Sequence, residues 1–444
     1  MYFATNRPPG IPDSIEAEIS RRIARGDSQS FIYIVPTGAQ ARDLINRLTS
    51  IESGRAIFLP RILSLAEFVT KLRSTVRPEL QLLSAAQSTA LIELSIKELF
   101  ENTSLRYFEP RSLGVGSLPL FRGTFDEIVA SINGLKEQGI SIDRLRELLA
   151  LQTDTQSSAY RKLSDIILIY EAYQKKFGST FIDQYEQYNI LIDELGLGNS
   201  EKTAQQLQRV FLSAFAGVTD VFVAPFVRFS EPALTLLTSI TQLDGVSTTV
   251  ALDYEPGNPG LFRFQEELLQ NLHGSGFTIT STPTQSGVIQ PFLGKDLFNR
   301  HRGKQQPIAT DAIEYSEAAT IERELRFAAR KIKRLITKEN IALSEICIAS
   351  SDQEVYALLA QSVFSEYGIP VQLTHRRSLA SSPLFHAIDS LLELGEFRLS
   401  HKRVRSILES PYFHLTHFDG TPIDSSNLLR VLGRYHFRQG TYRW

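Results

Sequence analysis

The sequence predicts an α/β fold of parallel sheets with mainly helical insertions, and three observations carry that expectation. Short apolar runs such as Phe31-Ile32-Tyr33-Ile34-Val35 have the length and β-branched content of strands buried on both faces. Each is followed by a stretch whose apolar residues recur every three or four positions, so strand and helix alternate, which favours parallel pairing through crossover connections. Between about Ser84 and Gly196 strand signals almost vanish while helical spacing persists.

In chain order, Tyr2-Phe3-Ala4-Thr5 reads as a short strand and Asn6 to Pro12 as a loop. A helix then starts near Asp13 or Ser14, with Ile15, Ile19 and Ile23 on one face. A phosphate-binding loop would sit in this setting, yet the loop has one glycine and no lysine precedes Lys71. Glycine amides that wrap phosphates and a lysine that reaches them are both missing, so no nucleotide is expected there. After the strand at Phe31 comes a helix through Ala41, Leu44, Ile45 and Leu48. Ala56-Ile57-Phe58-Leu59 predicts a further strand, followed by a helix beginning near Ser64. Within the helical stretch, Leu91, Leu94 and Leu99, then Phe125, Ile128 and Ile132, then Leu163, Ile166, Ile167, Tyr170 and Tyr173 mark successive helix faces. Sheet signals return at Val210-Phe211-Leu212, at Val221 to Ala224 and at Thr248 to Leu252, with a helix from Glu231 to about Ile240 between the last two.

A second alternation begins at Ala312 to Tyr315. A helix with Ile321, Leu325, Ala328, Ile332 and Leu335 on one face leads to a strand at Glu345 to Ala349, which holds Cys347. Ser351 with Glu354 reads as a capping box opening another helix, which Gly368 ends before a strand at Ile369 to Leu373. The expected boundaries are 1–83 with 200–280 for the first α/β domain and 84–199 for its helical insertion. A Gly-, Ser- and Pro-rich linker spans 281–310, the second α/β domain opens over 311–384, and a further helical insertion opens over 385–444.

Composition narrows function by exclusion. With 444 residues the chain is long enough for two or three domains, and 47 basic against 49 acidic residues give a net charge of −2. Any affinity for nucleic acid must therefore come from local basic stripes. One cysteine removes disulfides and cysteine-rich metal sites, no apolar run approaches the length that spans a membrane, and a cytoplasmic setting is expected. Four tyrosines, Tyr170, Tyr173, Tyr185 and Tyr188, have the spacing of core packing more than of base stacking. Arg330, Lys331, Lys333 and Arg334 fit the solvated face of a helix, and His414 with His417 lacks a further ligand for a metal.

Glu322 to Leu325, Glu345 to Ile348 and Tyr367-Gly368-Ile369-Pro370-Val371 resemble the opening of the second RecA-like domain of superfamily 1 helicases of the UvrD type. More fully, the chain resembles the N-terminal portion of AddB-type proteins, which are components of the bacterial ATP-dependent helicase/deoxyribonuclease. The stretches that carry this are Lys162 to Tyr173 with Phe181-Ile182-Asp183, Val221 to Phe226 with Phe229-Ser230, Gly260-Leu261-Phe262, and Arg377-Ser378-Leu379 with Ser382-Pro383-Leu384.

The resemblance implies two RecA-like, P-loop NTPase-like domains, the first degenerate. Where active helicases carry metal-holding acids, this chain reads Ala224-Pro225, and where an arginine meets the terminal phosphate it reads Ala349. No catalytic residue, metal ligand or cofactor is expected in this chain. The family's nuclease site and iron–sulfur cluster would lie outside these 444 residues, in a longer exodeoxyribonuclease subunit. The stretch Val35 to Arg47 is similar to one that touches single-stranded DNA, which makes Thr37, Gly38 and Arg47 candidate contacts, with Ser64 from a second such stretch. Implied partners are single-stranded or duplex-end DNA and an AddA-type helicase subunit, in double-strand-break repair, with no membrane. A nucleotide-independent protein-interaction scaffold is the alternative.

Overall fold

The computed structural model describes residues 2–5, 15–50, 58–102, 105–109, 120–152, 154–197, 201–281, 294–299, 313–373, 379, 382–392, 394 and 401–434. The Asn6 to Pro12 loop and the 312 end of the Ala312 to Tyr315 run lie outside them, as do Ala56 and Ile57. The chain divides into two compact units, one from residues 1–112 and 118–306 and the other chiefly from 307–444.

The first unit is organised on β2 (Phe31–Val35), whose five residues are all buried. Side chains alternate faces along a strand, and here Ile32 and Ile34 enter one hydrophobic core while Phe31, Tyr33 and Val35 enter another. A strand covered on both faces is the parallel-sheet pattern. Its six-stranded sheet runs β3 (Arg61–Ser64), β2, β6 (Asp220–Val223), β7 (Ser247–Leu252), β1 (Tyr2–Thr5) and β8 (Thr278–Ser281). From β3 to β7 all pairs are parallel, and β1 runs antiparallel to both its neighbours. Helices α1 (Ile15–Ala24) and α2 (Gly38–Ser50) cover one face through Ile15, Ile19, Ile23, Ala41, Leu44 and Leu48. On the other face lie α3 (Leu65–Val76), α8 (Glu186–Leu195), α9 (Glu201–Ala214), α10 (Glu231–Ile240) and α11 (Arg263–Gly274).

The helical stretch has a separate core. Helices α4 (Ala85–Asn102), α5 (Arg122–Glu137), α6 (Ile142–Ala150) and α7 (Ser158–Lys175) pack Ile92, Ile96, Phe125, Ile128, Ile132, Leu145, Ile169, Tyr170 and Tyr173 together. Tyr170 and Tyr173 are core residues, as their spacing suggests. A two-stranded parallel ladder, β4 (Gln81–Leu82) with β5 (Phe181–Ile182), joins the segments leading into and out of this subdomain.

The mixed α/β architecture and helical insertions agree with the sequence, and five local expectations need correction. Of the strand expected at Ala56 to Leu59, the described Phe58 and Leu59 are not in a strand, and the strand of this region is Arg61–Ser64, after Pro60, which has no amide to donate to a ladder. Phe58 and Leu59 stand 76% and 63% exposed. The Val210 to Leu212 run belongs to helix α9, because Leu207, Phe211 and Phe215 repeat every four residues and bury one face.

In the second unit, the Ile321–Glu339 helix, capped by Thr320, packs against the Gln353–Glu366 helix through Leu325, Ala329, Ile332, Ala360, Val363 and Phe364. Its expected strands are not formed among the described residues. Leu343–Glu345 is a 3₁₀ turn, Ile346 is extended but unpaired, and Cys347 is exposed instead of buried in a strand. A strand is held by its partners, and neither Ile346 to Ala349 nor Ile369 to Leu373 has one there. The expected cap also shifts by one residue, with the Asp352 carboxylate accepting the Val355 amide.

Candidate nucleic-acid interface at the carboxyl edge of the sheet

Open parallel sheets bind ligands beyond the carboxyl ends of their strands, where each strand turns into a helix. Two such corners adjoin here, because Val35 of β2 and Ser64 of β3 are register partners. At the first, the Thr37 hydroxyl accepts the Gln40 amide at 3.2 Å, and the Gln40 side-chain oxygen accepts the Thr37 amide and hydroxyl, each at 3.2 Å. At the second, the Ser64 hydroxyl accepts the Glu67 amide at 3.3 Å, while the Glu67 carboxylate accepts the Ser64 amide and hydroxyl, each at 2.7 Å. Both are capping boxes, legible as T-x-x-Q and S-x-x-E.

The two corners differ electrostatically. Glu67 places a carboxylate in the positive end of α3, so that helix start already holds an anion. The first turn of α2 contains no acidic residue and is capped by the neutral Gln40. The amides of Gly38 and Ala39 make no hydrogen bond among the described residues, which leaves two donors at a positive helix end. A Cβ built on Gly38 would lie 3.6 Å from the Arg42 guanidinium and 3.8 Å from the Glu67 carboxylate, so both charges border that glycine. Arg42 is exposed and forms no ion pair among the described residues.

Thr37, Gly38 and Ser64 are therefore brought together, and Arg47 is not. It lies nine residues beyond Gly38, roughly 13 Å along the helix at 1.5 Å per residue. Its guanidinium pairs with Glu16 of α1 at 2.8 Å. Beneath this pair, burial pushes the Tyr33 phenol up to about 12, with the Glu16 carboxylate adding to the shift and Arg47 opposing it.

The next corner, after β6, carries Ala224 and Pro225, and the Ala224 amide bonds to the Ile34 carbonyl at 2.8 Å. Neither side chain has a metal-binding oxygen. The loop beyond is fixed by Gln265 of α11, whose side-chain amide donates to the carbonyls of Phe226 at 2.6 Å and Val227 at 3.2 Å. This holds Val227, 68% exposed, and the exposed Arg228 beside the start of α11, where the Arg263 guanidinium lies 5.8 Å from the ring centre of the 71% exposed Phe264. Sequence reasoning missed Arg42, Arg228, Arg263, Phe264 and Gln265. Arg42 was reachable from its place one turn after Gly38, whereas the Gln265 contact spans 39 residues and leaves no local signal.

Among the described residues, no group of three or more histidine, cysteine or carboxylate side chains is placed to hold a metal. Nor is any described helix long and apolar enough to cross a membrane.

Comparison with known proteins adds the family context. Residues 121–273 match the family model described as ADDB, N-terminal. The chain is similar to the B subunit of the ATP-dependent helicase/deoxyribonuclease of Staphylococcus haemolyticus, 24% identical over 334 residues, covering 73% of this chain and 27% of the relative. The protein of the same description from Alkaliphilus metalliredigens is 21% identical over 418 residues, covering 90% of this chain and 34% of the relative. That from Caldanaerobacter subterraneus is 24% identical over 281 residues, or 60% and 23%. These matches cover about a quarter to a third of each relative's length.

Proposed function

We propose that this chain, an AddB-type N-terminal region by its family match and its relatives, binds single-stranded DNA along the carboxyl edge of its first sheet without hydrolysing ATP. In this reading it works beside an AddA-type motor subunit in double-strand-break repair, within a longer helicase–nuclease subunit. Its domains are then a degenerate RecA-like domain over 1–83 and 200–280 with the 84–199 insertion, a linker, and the start of a second RecA-like domain over 311–384.

The observation that carries the reading is the α2 corner. Among the described residues, the Gly38 and Ala39 amides make no hydrogen bond and the exposed Arg42 makes no ion pair, at a helix whose own first turn has no acidic residue although the Glu67 carboxylate borders Gly38. Amides and a guanidinium grip phosphates whatever the bases, which suits a subunit that must track a moving strand. Thr37 and Gly38 form this corner, Ser64 borders it, and Arg47 is a contact for the more distant part of a bound strand.

Fluorescence anisotropy of a labelled oligonucleotide, titrated at several salt concentrations, tests this. Binding should weaken steeply with salt, because phosphate contacts release counterions. A second reading, a nucleotide-independent protein scaffold, is favoured by the capping boxes, which already engage the hydroxyls of Thr37 and Ser64. Undetectable binding at low salt would select it.

A further inference from the structure

A lysine is entirely buried at the seam between the helical subdomain and the sheet. Lys136, in the last turn of α5, has no exposed side-chain surface, and its ammonium lies 2.8 Å from Asp183 Oδ2 and 3.0 Å from Glu186 Oε2. Three rings enclose it, with centroids at 4.8 Å for Phe177, 5.4 Å for Tyr173 and 5.5 Å for Tyr170. The Tyr173 hydroxyl donates to Asp183 Oδ2 at 2.9 Å. Burial first, and then the Asp183 carboxylate, raises the Tyr173 phenol well above its usual value, so this ring stays a neutral donor.

The position of these groups gives the cluster its meaning. Lys136, Tyr170, Tyr173 and Phe177 belong to the helical subdomain. Asp183 and Glu186 sit where the chain leaves it: Asp183 Oδ1 accepts the amides of Tyr185 at 3.0 Å and Glu186 at 2.9 Å and so caps the start of α8. Helix α8 then buries Leu191 and Leu195 in the sheet-side core. A single ammonium therefore ties the inner helices to the segment that returns to the sheet. Lys136 and Asp183 are taken out of water and Glu186 only partly, with its side chain 22% exposed, and burying the first two is costly unless they stay paired.

We propose that Lys136 is an electrostatic pin that fixes the helical subdomain to the α/β core, with the ammonium, not the volume of the side chain, as the locking element. The aromatic faces and the two carboxylates form a cation cage that would accept a free alkylammonium ion if the side chain were cut back.

The test uses the whole 444-residue chain. Lys136→Ala should lower Tm by roughly 10 °C, because the buried Asp183 carboxylate and the partly buried Glu186 carboxylate are left without their counterion. Ethylammonium should restore roughly half of that loss by binding the cage, and n-propanol, similar in size but uncharged, should restore none. Equal rescue by the alcohol would show that only volume matters and would overturn the proposal. Should Lys136→Ala not fold, Lys136→Met supplies the comparison, since it keeps the length of the chain. Lys136→Met alone should be less stable than Lys136→Met with Asp183→Asn and Glu186→Gln, because the triple variant removes the orphaned charges. The reverse order would also overturn it. Hydrogen exchange reads the joint itself: amides of Gln81, Leu82, Ile182 and Tyr185 to Gln187 should exchange at least about tenfold faster in Lys136→Met, with those of Phe31 to Val35 unchanged. Uniform acceleration across the sheet would mean general destabilisation in place of a loosened joint.

Discussion

Val35 and Ser64 are register partners on adjacent parallel strands, so the turns that follow β2 and β3 open side by side at one edge of the sheet. Each turn is closed by the same device, a hydroxyl and a longer polar side chain exchanging hydrogen bonds three residues apart. Removing one cap should then act locally. Ser64→Ala is expected to cost about 1 kcal/mol, as for other helix caps, and Thr37→Ala a similar amount. Urea denaturation checks both. A Ser64→Ala variant as stable as the parent would mean that Glu67 and the Ser64 amide suffice to hold the corner.

The charge difference between the two corners predicts which arginine matters for DNA. Arg42, without an ion pair among the described residues, should contribute a phosphate contact, so Thr37→Ala with Arg42→Ala should weaken single-strand binding about equally for unrelated sequences. The slope of log affinity against log salt should fall by about 0.7 for the lost contact. Arg47→Ala, which also breaks the pair with Glu16, should have a smaller effect on a short oligonucleotide. Gln152→Ala, exposed in the insertion, serves as the control. Binding unchanged in the double variant, with an intact circular dichroism spectrum, would leave α2 as a structural element only.

Magnesium-ATP is expected to leave the melting temperature unchanged and to be hydrolysed at no measurable rate. The corner after β6 offers Ala224 and Pro225 where a metal would need oxygen ligands. A ligand at a hundredfold excess over its dissociation constant would add roughly 2–3 kcal/mol of stability, a shift that calorimetry resolves. A clear upward shift would require a nucleotide site elsewhere in the chain.

How much of this was legible beforehand depended on how local the cause was. β2 declared itself because both of its faces are covered, and the tyrosines at 170 and 173 because helical spacing and burial coincide. The strand at Arg61–Ser64 was hidden by its polar first residue and by the more apolar run before Pro60. Extended apolar segments in the second unit read as strands, but pairing is a property of partners, which their own residues do not encode. At the candidate site, Thr37, Gly38 and Ser64 were singled out through the resemblance of their stretches to DNA-contacting segments of the family. Gln265 was not, because its acceptors are nearly forty residues away. Lys136 and the buried Asp165, which accepts the amides of Arg106, Tyr107 and Phe108, were invisible for the same reason.

Alkaline pH should destabilise the first unit through Tyr33. Its phenol is pushed up to about 12 in the folded state, chiefly by burial, against about 10 in an unfolded chain. The fold thus favours the protonated phenol. Its contribution is fully present below pH ~10 and is lost as pH rises towards ~12, because the unfolded chain releases the proton first. A two-unit difference corresponds to roughly 2–3 kcal/mol. Tyr33→Phe should flatten this limb of a stability–pH curve, and the partly buried Tyr188, also at about 12, should account for part of what remains. An unaltered limb in Tyr33→Phe would assign the alkaline transition to other groups.

Gly139 gives the last prediction, since it combines two constraints that a control separates. It follows α5 with φ +69°, and a Cβ there would lie 2.7 Å from Pro232 Cγ and 3.3 Å from Pro232 Cδ, at the start of α10. The proline ring has no rotamer by which to move aside. Gly178 has a similar backbone, φ +57°, with nothing within 4 Å of its would-be Cβ. Gly178→Ala therefore measures the left-handed backbone penalty alone, about 1 kcal/mol. Gly139→Ala should cost that amount and a further 1–3 kcal/mol, roughly, for overlap with Pro232. Combining Gly139→Ala with Pro232→Ala should recover most of the excess but not the backbone term, and the non-additivity of the pair in urea denaturation measures the contact. Equal losses for Gly139→Ala and Gly178→Ala would show that α10 yields freely at this point and that the Gly139–Pro232 approach does not constrain the helical subdomain.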